Sequence, residues 1–169
     1  MKPDLSLLEG VVAPQVLDAM KSASAALSRL QIRHVVVGGL AVGANGHPRA
    51  TKDVDFLVGD EAFEVHEGGF VTMKPGVPIQ INRVPIDLLS SDAGEEHLTA
   101  ALSAQAGSAI DAPRLVYMKL KAGRLRDRGD VADLVNAGID VDACRGYLEA
   151  HAPQFVADFE AIVAKAADE

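Results

Sequence analysis

Between Pro14 and Leu30 the apolar positions fall at Val16, Met20, Ala23, Leu27 and Leu30, intervals of three and four that predict an amphipathic helix with one buried stripe. The period then changes. RHVVVGG is a short apolar run closed by glycines and predicts a buried strand at about 33–37, followed by a short helix in LAVGAN and a loop in GHPRATK. In DVDFLVG the period is two: Val54, Phe56 and Val58 alternate with Asp53, Asp55 and Leu57, which puts both aspartates on one strand face. The runs 79–81 and 84–89, separated by Asn82-Arg83, predict a hairpin or adjacent edge strands, with Asp87 in the second run. From Glu95 onward the spacing is helical, in EEHLTAALSAQ, in PRLVYMKLKAGRLR opened by Pro113, in DVADLVNAG ended by Gly138, and in VDACRGYLEAH and APQFVADFEAIVAKA. The pattern predicts an α/β core over residues 1–110 and a helical part packed on it over residues 111–169.

Composition narrows this picture. A chain of 169 residues, 49% of them apolar, holds material for one well-buried core, built from aliphatic residues because there is no Trp, two Tyr and five Phe. No stretch approaches the roughly 20 apolar residues of a membrane span, and MKPDLSLLEG lacks a signal-peptide core, so the expectation is a cytoplasmic protein with no membrane partner. Cys144 has no second cysteine to pair with and is expected to be a half-buried helical thiol. The five histidines, His34, His47, His66, His97 and His151, lack ligand spacing and are expected on surfaces or loops.

Charge adds a local feature. The net charge of -8 argues against a protein that coats nucleic acid nonspecifically, yet PRLVYMKLKAGRLRDR carries six cations against one acid, leaving 10 bases against 23 acids elsewhere. Within that segment Lys119, Gly123 and Arg126 recur at four and three residues, which would put both cations on one helix face.

The chemistry is concentrated between Gly38 and Asp87. Carboxylates at alternate strand positions have side chains roughly 6 to 7 Å apart and repel unless a positive charge lies between them. A hard divalent cation with oxygen ligands satisfies that requirement. The Gly38-Gly39 turn from strand to helix lets backbone amides approach a phosphate, although GGLAVGANG matches neither a dinucleotide-binding fingerprint nor a P-loop. Asp87, a lone carboxylate in the apolar run VPIDLL, is either a strand-end cap or a third metal ligand.

Val37-Gly38-Gly39 followed by Asp53-Val54-Asp55-Phe56 resembles the nucleotidyltransferase superfamily of the polymerase β type. Arg49-Ala50-Thr51-Lys52-Asp53 is similar to the R-x-T-x-D-x-D form of minimal bacterial nucleotidyltransferases and AbiEii-type toxins. A second stretch, from Lys119 and Ala122 through Arg126-Asp127, Asp130 and Asp133-Leu134, resembles the K-x-x-A-x-x-x-R-D-x-x-D-x-x-D-L helix pair of that group. The resemblance implies a nucleotidyltransferase fold, a small mixed central sheet flanked by helices, and transfer of a nucleoside monophosphate from a nucleoside triphosphate to an acceptor hydroxyl.

It further implies a two-metal site for Mg²⁺, with Mn²⁺ as the alternative, held by Asp53, Asp55 and Asp87. Gly38, Gly39, Arg49, Thr51, Lys119 and Arg126 would bind the nucleotide. The acceptor could be tRNA or another RNA, or a protein, and the toxin comparison implies a cognate antitoxin. The chain is too short for the extra C-terminal domain of larger AbiEii enzymes. The competing expectation is a catalytically silent relative that binds a nucleotide or a protein partner, discriminated by whether Asp87 lies close enough to Asp53 and Asp55 to share a metal pair.

Overall fold

In the computed structural model, which describes residues 2–168, the apolar run after Arg33 forms β1 (His34–Val37) and the alternating run after Asp53 forms β2 (Val54–Val58). These two strands pair antiparallel. On its other side β2 runs parallel to β6 (Val84–Leu89), and β6 pairs antiparallel with the short β5 (Gln80–Ile81). The sheet order is therefore β1-β2-β6-β5, a small mixed sheet. The Asn82-Arg83 turn between β5 and β6 has both residues at positive φ, 50° and 66°, the backbone of a type I′ hairpin turn whose twist matches its strands. A separate hairpin, β3 (Phe63–Val65) with β4 (Val71–Met73), lies in a stretch for which periodicity predicted nothing.

Seven α-helices flank the sheet among the described residues. Helices α1 (Pro14–Arg29) and α2 (Gly38–Ala44) precede β2, and α3 (Glu96–Thr99), α4 (Ala112–Ala122), α5 (Leu125–Asn136), α6 (Val141–His151) and α7 (Val156–Ala167) follow β6. Proline opens α1 at a position whose amide needs no partner, and Asp140 caps α6 by accepting from the Ala143 amide at 2.9 Å.

The sheet separates two apolar clusters. Val36, Val54, Phe56, Val58 and Ile86 pack against the stripe of α1, with Leu8 and Val12 of the N-terminal segment beneath. Val35, Val37 and Leu57 point to the opposite side and pack against Leu115, Val116, Leu120, Val131, Leu134, Leu148 and Phe159 of the C-terminal helices. Strand β2 is thus covered on both faces, and its side chains sort by parity: odd positions carry Asp55 and Leu57, even ones the α1-facing residues.

Four expectations need correction. The helix predicted over EEHLTAALSAQ is one α-turn, α3, followed by a tighter turn at Ala100–Ser103. The Thr99 hydroxyl bonds back to the Glu96 carbonyl at 3.0 Å, an alternative to helix continuation. The basic segment does not continue as one helix, because Gly123 at φ 66° caps α4 in the left-handed region and α5 starts at Leu125. Cys144 is fully rather than half buried, and that burial pushes its thiol up to about 12. His34 is a core residue: its Nδ1 donates to the Ile32 carbonyl at 2.8 Å, which leaves Nε2 to accept from the Ser24 hydroxyl at 2.7 Å.

Candidate active site

The helical layer covers one sheet face at Val35, Val37 and Leu57 but stops short of Asp55 and Asp87. A cavity of about 590 Å³ opens there, lined by β2 and β6, the glycine turn, the loop 45–52 and the facing sides of α4 and α5. Parallel pairing of β2 with β6 places Asp55 directly beside Asp87, with Val54 beside Ile86 and Phe56 beside Leu88. Asp53 immediately precedes β2 and adds the third carboxylate. One oxygen from each of Asp53, Asp55 and Asp87 lies within 4.8 Å of the others. The spacing that placed the first two carboxylates on one face, and the apolar run around the third, thus converge on one locus.

The cost of that convergence falls on Asp55. Burial first, then the charges of Asp53 and Asp87, push its carboxyl up to about 6, against the opposing pull of Lys119. A bound cation would reverse this, since it favours the ionised form of every ligand around it.

Gly38 fits the site for a reason its sequence context did not disclose. At φ 65° it begins α2 in the left-handed region, and a Cβ there would lie 2.0 Å from Oδ2 of Asp55. The glycine is what allows the Asp55 carboxylate to lie against the strand-to-helix turn. A Cβ on Gly39 would stand 3.1 Å from the Thr51 hydroxyl and 3.5 Å from Nη2 of Arg49, so the loop also rests on this turn. Thr51 donates to Oδ1 of Asp53 at 3.2 Å, orienting one carboxylate.

Lys119 and Arg126 both line the cavity, but from different helices: Lys119 from α4 and Arg126 from the first turn of α5. The Gly123 corner, not a shared helix face, brings them together. Arg49, Lys119 and Arg124 are linked through two carboxylates of α5, with Arg49 to Asp130 at 2.9 Å, Lys119 to Asp130 at 2.7 Å and to Asp127 at 3.3 Å, and Arg124 to Asp127 at 2.7 Å. Asp127 also accepts from the Arg124 amide, capping α5. Burial works against the Asp127 charge, but the Arg124 hydrogen bond and the Lys119 charge outweigh it and hold the carboxyl below its usual range. Nη1 of Arg49 is buried with no acceptor among the described residues.

Sequence reasoning missed Arg124, and it left Asp127 open between a salt bridge and a ligand contact. The signal was the corner itself, since a basic residue just after a helix-ending glycine stands at the start of the next helix. The remaining cations of the basic segment point elsewhere, Lys121 to Asp92 and Glu95, Arg114 to Asp111 and Arg128 to Asp158, so they form no continuous basic surface. Of the histidines, His47 alone belongs to the loop beside the cavity, where Nε2 lies 3.5 Å from Asp133.

No family model matches this chain, and no curated protein matches it. Among solved structures it is similar to an antigenic nucleotidyltransferase-like protein from Paracoccidioides brasiliensis, at 14% identity and a TM-score of 0.42, over 88% of this chain and 95% of that one.

Proposed function

We propose that this protein is a metal-dependent nucleotidyltransferase that moves a nucleoside monophosphate from a nucleoside triphosphate to an acceptor hydroxyl. The observation that carries the reading is the convergence of Asp53, Asp55 and Asp87, with oxygens within 4.8 Å of one another, in a cavity that Arg49, Lys119, Arg124 and Arg126 also line. All three donors are carboxylate oxygens, the set that suits a hard cation such as Mg²⁺ or Mn²⁺, and Asp55 carries a charge that only a cation would make comfortable. The cavity volume falls within the range of small-molecule sites.

A divalent cation bound there would supply charge neutralisation on phosphate oxygens and a lowered pKa for the attacking hydroxyl. The chain's own groups do the rest. Lys119 from α4 and Arg126 from α5 line the same cavity and hold the triphosphate, stabilising charge on the pyrophosphate that leaves. Arg49 and Thr51 shape the loop at the edge of the cavity, and Gly38 and Gly39 form the turn beside the carboxylates. Asp87, exposed on β6, is the carboxylate placed to accept the acceptor's proton. The silent alternative drew on the shortness of the chain and on an uncertain third carboxylate; the register that seats Asp87 beside Asp55 favours the enzymatic reading.

The two motifs that resemble AbiEii-type proteins extend the proposal to a cytoplasmic toxin with a cognate antitoxin, modifying an RNA such as tRNA or a protein. The test is transfer of radiolabel from each α-labelled nucleoside triphosphate, with Mg²⁺ or Mn²⁺, to RNA and protein fractions of a cell extract. Labelled product should appear with the native chain and be absent with Asp53→Ala. Label transfer that persists in the Asp53→Ala/Asp55→Ala double variant would overturn the reading.

A further inference from the structure

Four cations line the cavity, Arg49, Lys119, Arg124 and Arg126, and they face five carboxylates, the three at the proposed metal locus together with Asp127 and Asp130. With all nine groups ionised the empty cavity carries one net negative charge. A site meant simply to attract polyphosphate would do better without Asp127 and Asp130, which are not positioned as metal ligands. They are instead 2% and 3% exposed and interleaved with the cations in a chain that runs Arg49, Asp130, Lys119, Asp127, Arg124. Each of those three cations already has a carboxylate partner, and Arg126 alone has none among the described residues.

From this arrangement we infer that Asp127 and Asp130 are specificity-determining residues that make polyphosphate binding conditional on the metal. The inference rests on the nucleotidyltransferase reading of the same cavity. A metal-free triphosphate, with up to four negative charges, meets three cations that are already paired, with Arg126 alone left over, and three bare carboxylates. Its entry gains little from the first and is opposed by the second. A metal-bound triphosphate arrives with its charge reduced and with the cation directed at Asp53, Asp55 and Asp87, so the same cations need supply only hydrogen bonds and the remaining charge. Asp130 has a second effect. It fixes the Arg49 guanidinium through Nε and Nη2 and leaves Nη1 over, so that loop and helix α5 present one donor set rather than two independent ones.

Among the variants, Asp127→Asn is the cleaner probe. Arg124 is 77% exposed, so releasing it strains no packing, and the asparagine oxygen can still accept the amide that caps α5. The experiment titrates ATP and inorganic pyrophosphate by calorimetry into the native chain and into Asp127→Asn and Asp130→Asn, in EDTA and again in Mg²⁺, alongside Mn²⁺ binding followed by electron paramagnetic resonance. The native chain should bind ATP with Mg²⁺ and poorly without it. In Asp127→Asn, metal-free ATP and pyrophosphate should bind about tenfold tighter, the effect of one charge removed at close range in a partly screened cavity, with Mn²⁺ affinity unchanged.

Gain in the metal-free arm that disappears in Asp127→Asn/Arg124→Ala would assign the effect to the released arginine. Metal-free affinity in Asp127→Asn and Asp130→Asn that equals or falls below native, in chains whose Mn²⁺ binding shows an intact carboxylate site, would overturn the inference. If the native chain binds ATP in neither condition, it is the nucleotidyltransferase reading that fails, and the two failures are distinct.

Discussion

Single side chains in this site work against the fold they sit in, and two substitutions read that conflict directly. Burial and two neighbouring carboxylates hold Asp55 at about 6 instead of the 3.8 of a free aspartate, so the folded chain binds that proton more tightly than the unfolded chain does. Its contribution to stability is fully present below pH 3.8 and is lost as pH rises through about 6. In the metal-free protein Asp55→Asn should therefore raise stability at pH 7.5, by on the order of 1–2 kcal/mol after allowance for partial solvent screening, and flatten the melting temperature between pH 4 and 7. Transfer activity should vanish in the same variant. Thermal melts across that pH range check it, and a metal-free Asp55→Asn chain less stable than native at pH 7.5 would contradict the buried-charge account. Gly38→Ala tests the close approach from the other side. Its methyl would fall 2.0 Å from Oδ2 of Asp55 on a backbone at φ 65°, costing roughly 1–3 kcal/mol and displacing a ligand without removing one. Mn²⁺ binding should weaken at least tenfold although all three carboxylates are still present, a result measurable by electron paramagnetic resonance.

Elements were legible where their period was clean and short-range. The strand parity of Asp53 and Asp55, the long apolar stripe of α1 and the Asn82-Arg83 hairpin follow from alternation, helical spacing and turn position, all encoded within a few residues. The helix boundary at Gly123 was not, because a basic amphipathic pattern continues across it and only the left-handed φ at that glycine breaks the chain into α4 and α5. The charge chain through Asp127 and Asp130 was equally hidden, since it joins residues up to 81 positions apart whose meeting depends on how α5 packs beside the loop. Asp87 stood between the two cases: its strand was legible, but the register that seats it beside Asp55 is a property of parallel pairing across two strands. The β5–β6 turn also carries an identifiable strain, since Arg83 adopts φ 66° in the left-handed region that favours glycine. Arg83→Gly should stabilise the protein by about 0.5–1 kcal/mol, a rise of roughly 1–4 °C in melting temperature, and leave metal binding unaltered. A fall in melting temperature would mean that the arginine makes a compensating contact.

At the scale of the molecule, the cavity is the place where the C-terminal helical layer stops short of the sheet. One apolar cluster joins the sheet to α1, and the other joins the same sheet to the C-terminal helices through Val35, Val37 and Leu57, so each layer depends on strands that the other also uses. The carboxylates come from the sheet and most of the cations from α4 and α5, which means that a ligand touching both bridges the layers. Binding to the folded chain alone stabilises it by RT ln(1 + [L]/Kd), about 2.7 kcal/mol at a hundredfold excess over Kd, and for a chain of this size each kcal/mol moves the melting temperature by roughly 2–4 °C. Mg²⁺ with the cognate nucleoside triphosphate should therefore raise a single melting transition by about 5–10 °C, with smaller shifts for the metal alone and none for the pair in Asp53→Ala/Asp87→Ala. Differential scanning calorimetry reads both the shift and its shape. Because residues of β1 and β2 pack into the helical cluster, the whole transition should move together. A second transition that the ligand leaves in place would show that α4 to α7 unfold as an independent unit, and the cavity would then be an interface between units rather than a gap within one.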